Sequence, residues 1–278
     1  MYDMTERAKE AWQFYDELLN ERIAEISKLA KVPVDKFVKI NPAEFIKKSK
    51  FQEIKEYQYR KIGQWIKSTK TDDNYLISPV DDPVKTANQI AYKEKVDTTR
   101  IRGSKCKLVR VHNETAVDFY RRNHRQPVPM LRKNAISWGL TWNGRLVGCM
   151  TYDKTDGAVR GGSKKDMYEL MRLAFAHGIS IAGGASRLQK HCEESLRELG
   201  EERIFSYSNA TINNGKVYEA LGFMCKKIDG GQPFVIMENN QLVRLINLFP
   251  NSTDKCLARC NRLKSYLGGN KLWTKELI

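Results

Sequence analysis

Between residues 5 and 30 (TERAKEAWQFYDELLNERIAEISKLA), apolar side chains recur every three or four positions: Trp12, Phe14, Tyr15, Leu18, Leu19, Ile23, Ile26 and Leu29. That period predicts an amphipathic helix, capped by Thr5 and interrupted by KVPVD. Two shorter helices are predicted over 42–50 and 52–68, on a stripe of Phe51, Ile54, Tyr57, Ile62, Trp65 and Ile66. SPVDDP (78–83) then breaks the pattern, with two prolines flanking two acids. The stretch from about 70 to 100 reads as a domain boundary or a long connection.

From residue 105 the texture changes. KCKLVRV (105–111) alternates like a strand, and ETAVDFYRRNH (114–124) reads as a helix. AISWGLTWNGRLVGCMTYD (135–153) is a hairpin, two β-rich runs joined at Asn143-Gly144, the strongest short-range turn signal in the chain. MYELMRLAFA (167–176) is a strand, ASRLQKHCEESLRELG (185–200) an amphipathic helix closed by glycine, and RIFSYSNA (203–210) a strand. GKVYEALG (215–222) is a short helix ending on Gly222, and FMCKKIDGGQPFVIME (223–238) reads as a second hairpin turning at 229–231. LVRLINLF and CLARCNRLKSYL give the tail helical patterning. The order predicts an α/β (α+β) fold with a mixed central sheet flanked by helices. The organisation expected is a helical N-terminal region over 1–70, a connecting segment over 71–104, the α/β domain over 105–240 and a helical tail over 241–278.

Composition and charge narrow the function classes. Hydrophobic residues are 41% and charged residues 29%, a globular rather than disordered balance. No apolar run approaches the ~20 residues of a membrane helix, and MYDMTERAKEAW lacks the apolar core of a secretory leader. The expectation is a cytoplasmic protein with no membrane partner. The six cysteines are dispersed without a CxxC pair, which argues for reduced, largely buried thiols rather than a zinc site. The net charge of +15 is focused: residues 101–150 carry ten basic and two acidic side chains. A focused basic stripe attracts polyanions. Arg121, Arg122, Arg125, Arg132 and Lys133 are its candidate DNA contacts, with Trp138, Trp142 and Tyr152 interleaved as candidate base-stacking groups.

The element order, and above all the ending VYEALGF, resembles the GNAT acyltransferase superfamily over about 105–238. Within it, YELMRLAF, GGASRLQKHCEESL and FSYSNATINNGKVYEALGF are similar to the phage Mom family. That resemblance implies modification of adenine in double-stranded DNA, protecting phage DNA from host nucleases in the host cytoplasm. Two other readings stay open: a general GNAT N-acyltransferase, and a non-catalytic DNA-binding protein on the same scaffold. The region 1–70 leaves homodimerisation, docking on the α/β domain and added DNA contacts open.

The resemblance also assigns roles. HGISIAGGASRLQKH (177–191) is where a strand feeds a helix, the place where the superfamily binds the cofactor pyrophosphate. Gly183 and Gly184 allow close backbone approach, and the N–H groups of Ala185, Ser186 and Arg187 face an anion. GGAS departs from the usual Q/R-x-x-G-x-G/A loop. The donor implied is acetyl-CoA or a related acyl or aminoacyl carrier. Tyr218 takes the position of the tyrosine general acid, a phenol that stays protonated at neutral pH. Glu169 and Arg172 come from the family's E-L-x-R block, Glu169 as the candidate base and Arg172 as a DNA contact. Strand alternation predicts that they point to opposite faces. Asn209 stands where Mom-like proteins carry an acid, so it can hydrogen-bond but not act as a base. His124 matches the family's short His motif, and the resemblance implies iron with His124 as a ligand.

Overall fold

The computed structural model describes residues 6–38, 74–77, 81–126, 130–154, 167–209, 215–228, 232–236, 242–244, 263–267 and 270–277. The helices expected over 42–50 and 52–68 lie outside these residues. Helix α1 spans Glu6–Ala30 as its periodicity requires. Leu19, Ile23, Ile26 and Ala30 face a small core, while Leu29 points outward. A two-strand parallel pair follows, β1 (Phe37–Val38) with β2 (Tyr75–Leu76).

The segment read as a connection is structured. Pro83 does not stop a helix but starts one: α2 runs Pro83–Glu94, with Asp82 at the N-cap accepting the Lys85 N–H at 3.0 Å. Its Ala87 and Ile90 pack on α1 in the same core as Phe37 and Ile77. Strand β3 (Thr99–Arg102) then pairs in parallel with a later short strand, β8 (Ile179–Ala182).

The main sheet has seven strands, built from β4 (Lys107–Arg110), β5 (Ile136–Trp142), β6 (Arg145–Lys154), β7 (Tyr168–Phe175), β9 (Arg203–Asn209), β10 (Met224–Ile228) and β14 (Asn270–Glu276). Their order in space is β10-β14-β9-β7-β6-β5-β4. The β5–β6 hairpin turns at Asn143-Gly144, both at positive φ (49° and 74°), as a type I′ turn demands. Helix α3 (Asn113–Asn123) covers one face, where the Tyr120 hydroxyl meets that of Thr151 at 2.8 Å. Helix α4 (Gly184–Glu198) covers the other, where the Tyr152 hydroxyl donates to Gln189 at 2.8 Å. Residues 151 and 152 point to opposite faces, so the two helices flank the sheet. The larger core, under α4, is built on Leu140, Met150, Leu188, Leu196, Ile204 and Trp273.

The C-terminal part departs from the sequence reading. The run 223–238 is not a hairpin: β10 pairs with β14, and β11 (Gln232–Ile236) joins a separate sheet with β12 (Leu242–Arg244) and β13 (Leu263–Leu267). The tail expected to be helical is strand at 242–244, 263–267 and 270–276. A central slot between β9 and β10 needs a strand to satisfy its backbone groups, and β14 fills it.

Candidate functional site

The site begins where two neighbouring parallel strands part. β7 and β9 pair only at Tyr168–Ile204 and Glu169–Phe205. At the next position the Ser206 hydroxyl donates to the Leu170 carbonyl at 2.9 Å. Beyond it β7 continues against β6 and β9 against β14, so the strands diverge. A β-bulge helps to bend β7: Leu170 faces Tyr152 and Arg172 faces Thr151, leaving Met171 as the extra residue. The opened wedge is part of a cavity of about 690 Å³, within the range of small-molecule sites.

The bulge also corrects the alternation expected for β7. One inserted residue shifts the side-chain phase, so Glu169 (opposite Asp153) and Arg172 (opposite Thr151) share the α3 face. Glu169 is buried, and Arg172 lines the cavity with its Nε donating to the Gln126 carbonyl at 2.7 Å.

Tyr218 lies on α5 (Lys216–Ala220) and lines the same cavity. The helix is short because glycine bounds it at both ends. Gly215 (φ 98°) opens it, and Gly222 (φ 83°) closes it. Gly222 N–H bonds to Glu219 C=O at 2.9 Å and Phe223 N–H to Tyr218 C=O at 2.9 Å, a Schellman ending. The Tyr218 ring stacks on Trp273 and meets Phe223 edge-on. Its hydroxyl donates to the Tyr207 carbonyl at 3.3 Å. Burial pushes the phenol pKa up and Glu169 adds to this, while the Ser206 hydroxyl and Arg172 oppose it. The phenol therefore holds its proton at neutral pH.

The start of α4 lines the cavity too, with Gly183, Gly184, Ala185 and Ser186 in its wall. Gly183 sits at φ 72°, a left-handed turn that suits glycine, and makes no side-chain cap. Gly184 leaves no room for a Cβ, which would meet Ile181 Cγ2 at 2.8 Å and Phe175 Cε1 at 3.0 Å. The first-turn amides of Gly184, Ala185 and Ser186 precede the first helical hydrogen bond. Arg187, counted among them from the sequence, supplies that bond instead, its N–H reaching Gly183 C=O at 3.0 Å. Its guanidinium points away and clasps the carbonyls of Gly103 and Cys106.

His124 and Asn209, at the ends of α3 and β9, line the same cavity. His124 Nδ1 lies 2.7 Å from the Gln126 carbonyl oxygen and 2.9 Å from its amide nitrogen. Burial, then Arg172, Arg125 and Lys85, pull its pKa down to about 3. Tyr218, Arg172, His124 and Asn209 thus converge on one cavity, with Glu169 on the strand behind. Among the described residues, no group of three or more His, Cys, Asp or Glu side chains is placed to hold a metal, so the expected iron site has no ligand cluster here.

The basic stripe does not form one surface. Arg121 and Arg122 are exposed on α3. Arg125 leaves the stripe: its guanidinium forms a buried two-point ion pair with Asp81, the side chains only 7% and 8% exposed. Arg132 is exposed and its backbone N–H donates to Asp153 at 3.0 Å. Lys133 borders a separate groove with Arg110 and Trp138. Of the interleaved aromatics, Tyr152 is fully buried and Trp138 donates to Ser195 on α4 at 3.0 Å. Neither lines the Tyr218 cavity. Cys106, Cys149 and Cys192 are buried free thiols, while Cys225 is exposed. No helix among the described residues is long and apolar enough to cross a membrane.

Sequence reasoning missed helix α2, whose Asn88, Tyr92 and Lys93 line the cavity, the stacking of Trp273 on Tyr218, and Ser206. Asp82-Pro83 was the available signal for α2, a capping residue followed by proline. The other two depend on strand neighbours far apart in the chain.

No family model and no curated protein matches the chain. Among solved structures, it is similar to the ribosomal-protein-S18-alanine N-acetyltransferase from Escherichia coli: 14% identity, 62% of this chain and 94% of that one, TM-score 0.38. It is similar to a Bacillus subtilis acetyltransferase in complex with CoA: 14% identity, 63% and 100% coverage, TM-score 0.37. It is also similar to the GNAT domain of S. lividans PAT: 16% identity, 62% and 90% coverage, TM-score 0.36. Likeness at this level leaves function to the site's own geometry.

Proposed function

We propose that the chain is a GNAT-type N-acyltransferase that takes its acyl group from a CoA-type carrier. The supporting observation is a single cavity lined both by the uncapped start of α4 and by Tyr218. The residues fit such a carrier. Three amides without a side-chain cap, at the positive end of a 15-residue helix, suit a diphosphate. Gly183 provides the left-handed turn that opens the helix there, and the tight packing at Gly184 fixes its position. When bound, the carrier supplies an activated acyl carbonyl and a thiolate leaving group.

The chain's own part is to hold, orient and protonate. The Gly184–Ser186 amides hold phosphate oxygens. The edge of β7 past Leu170, beyond the end of its pairing with β9, lies along the wedge. Tyr218 keeps a proton at its hydroxyl and can give it to a leaving group. His124, neutral throughout the physiological range, orients by hydrogen bonding and does not carry a proton.

The second reading names the acceptor as the exocyclic amine of adenine in DNA, the Mom-type activity. The observation favouring it is that α3, which carries His124 to the cavity, exposes Arg121 and Arg122 beside it.

Calorimetric titration with acetyl-CoA tests the first reading. The expected Kd lies in roughly the 1 μM–1 mM range usual for enzyme substrates, and absence of binding overturns it. Mass spectrometry of nucleosides from plasmid DNA co-expressed with the protein tests the second. A new deoxynucleoside, lost in Tyr218→Phe, is expected. An unchanged profile from a protein that binds DNA in a salt-dependent way points to the non-catalytic alternative.

A further inference from the structure

The turn that opens α4 is built on two glycines, and glycine loses more conformational freedom on ordering than any other residue. Gly183 has no side chain with which to cap the helix. The amides of Gly184, Ala185 and Ser186 can point together at one anion only if something else holds this turn. The hold comes from the segment that the sequence presents as a connection. Strand β3 pairs in parallel with β8 up to Arg102–Ala182, one residue short of Gly183. A tight helical turn follows, Gly103–Lys105, closed by the Cys106 N–H donating to the Gly103 carbonyl at 3.1 Å.

We infer that Arg187 and Gly103 are positioning residues, which hold the α4 turn in the shape that receives the carrier's diphosphate. The inference rests on the acyl-transfer reading, because it concerns the acyl donor. Arg187 ties the turn in two ways. Its backbone N–H donates to the Gly183 carbonyl at 3.0 Å, the bond that closes the first turn of α4. Its guanidinium Nη1 donates to the Gly103 carbonyl and, at 2.7 Å, to the Cys106 carbonyl. Hydrogen bonds from a charged donor are the stronger kind, so one residue fastens the start of α4 to the turn after β3. Gly103 brings the two segments close. A Cβ there would lie 3.0 Å from the Ala182 carbonyl oxygen and 3.3 Å from the Gly184 amide nitrogen. Its φ is not positive, so glycine is required here by close approach rather than by backbone conformation.

Neither residue lines the Tyr218 cavity. Gly183 does, and it also lines a separate groove together with Gly103 and Arg187. The brace therefore acts on the turn and not by contact with whatever fills the cavity. Its effect is preorganisation: a turn already held in place costs less to order when the anion arrives. Loosening the brace should weaken the carrier's binding while every residue of the cavity lining stays as it is.

The experiment compares Arg187→Gln and Gly103→Ala with the parent protein by calorimetric titration with acetyl-CoA and by amide hydrogen exchange without ligand. Gly103→Ala keeps the guanidinium, so an effect common to both variants does not come from losing a charge near the phosphates. It also decides the question if Arg187→Gln does not fold. Each folded variant should bind acetyl-CoA about tenfold more weakly, the ordering cost of about one backbone residue. Exchange should quicken at least about tenfold over residues 187–190, the first bonded turn of α4, and keep the parent's rate in β5 and β6. Affinity within about twofold of the parent's in a folded variant overturns the inference. So does exchange that rises as much in β5 and β6 as at the start of α4, since that is general loosening. A parent that does not bind acetyl-CoA sinks the acyl-transfer reading itself, whereas a parent that binds it no better than the variants sinks this inference alone.

Discussion

Tyr218 and Trp273 lie face to face, ring centroids 5.2 Å apart and planes 8° from parallel. They are 55 residues apart in the chain. Trp273 is held in turn by its own Nε1–H, which donates to Ser208 at 2.8 Å, and by Gly215, where a Cβ would come within 2.4 Å of the indole. The last strand thereby sets the angle of the phenol. Tyr218→Phe should lower acyl transfer by roughly 10²–10⁴-fold, the usual span for a general acid, and leave CoA affinity unchanged. Trp273→Leu should also cost on the order of 2–4 kcal/mol of stability, below the range for full aromatic truncation, read from urea denaturation.

Gly184→Ala should damage the donor end without touching Tyr218. Its Cβ meets Ile181 and Phe175 inside normal contact distance, so the first turn of α4 must move. Acetyl-CoA affinity should fall about tenfold or more, a loss of about 1.4 kcal/mol. The far-ultraviolet spectrum should not change.

Arg125 and Arg121 should behave oppositely, although they are four residues apart. Arg125→Ala removes the cation from a buried ion pair with Asp81 and should cost roughly 3–5 kcal/mol. Arg121→Ala removes an exposed i,i+3 pair with Asp118 and should cost about 1 kcal/mol or less. If DNA binds, Arg121→Ala should lower the salt dependence of affinity by about one unit of slope.

Asp153 offers a test by pH. Burial raises its carboxyl pKa above the ordinary value, against the Arg132 and Lys154 amides. A raised carboxyl favours folding below the unfolded value of about 3.9 and loses that contribution as pH rises through the folded value. Asp153→Asn removes the loss. The variant should melt at a higher temperature than the parent at pH 7, and the two proteins should converge below about pH 4.

His124 has the opposite sense. With a folded pKa of about 3 and an unfolded one near 6.5, it destabilises the fold progressively as pH falls below about 6.5, when only the unfolded chain takes up the proton. Its ring signals in a proton NMR titration should stay constant between pH 5 and 8. A titration midpoint near 6.5 would refute the environment described here.

Much of the α/β domain was legible because its signals are local. Asn143-Gly144 allows the positive φ values of a type I′ turn, so the β5–β6 hairpin follows from two residues. Gly222 after VYEAL specifies the Schellman ending that stops α5 and leaves Tyr218 in the cavity wall. GGAS before an amphipathic run marks the start of α4. Each depends on one residue's conformational freedom or on a short period of apolar positions.

Other features depend on neighbours that the chain brings together only on folding. Nothing in MCKKI says that its partner is NKLWTKE rather than QPFVI, since both offer a strand and pairing is decided by which slot in the sheet is left open. Nothing in YELMR reveals a bulge at Met171, because the bulge is defined by the register of β6, and it is this extra residue that puts Glu169 and Arg172 on one face. Arg125 reads as one of several surface cations until Asp81 is placed against it. The sequence by itself determined α1, α3, α4 and α5, the β5–β6 hairpin and the positions of Tyr218 and the α4 glycines, where the governing forces act within a few residues. Only the tertiary structure decided the strand order, the parting of β7 from β9 and the place of α2 in the cavity lining, since these arise from burial and from contacts between distant segments.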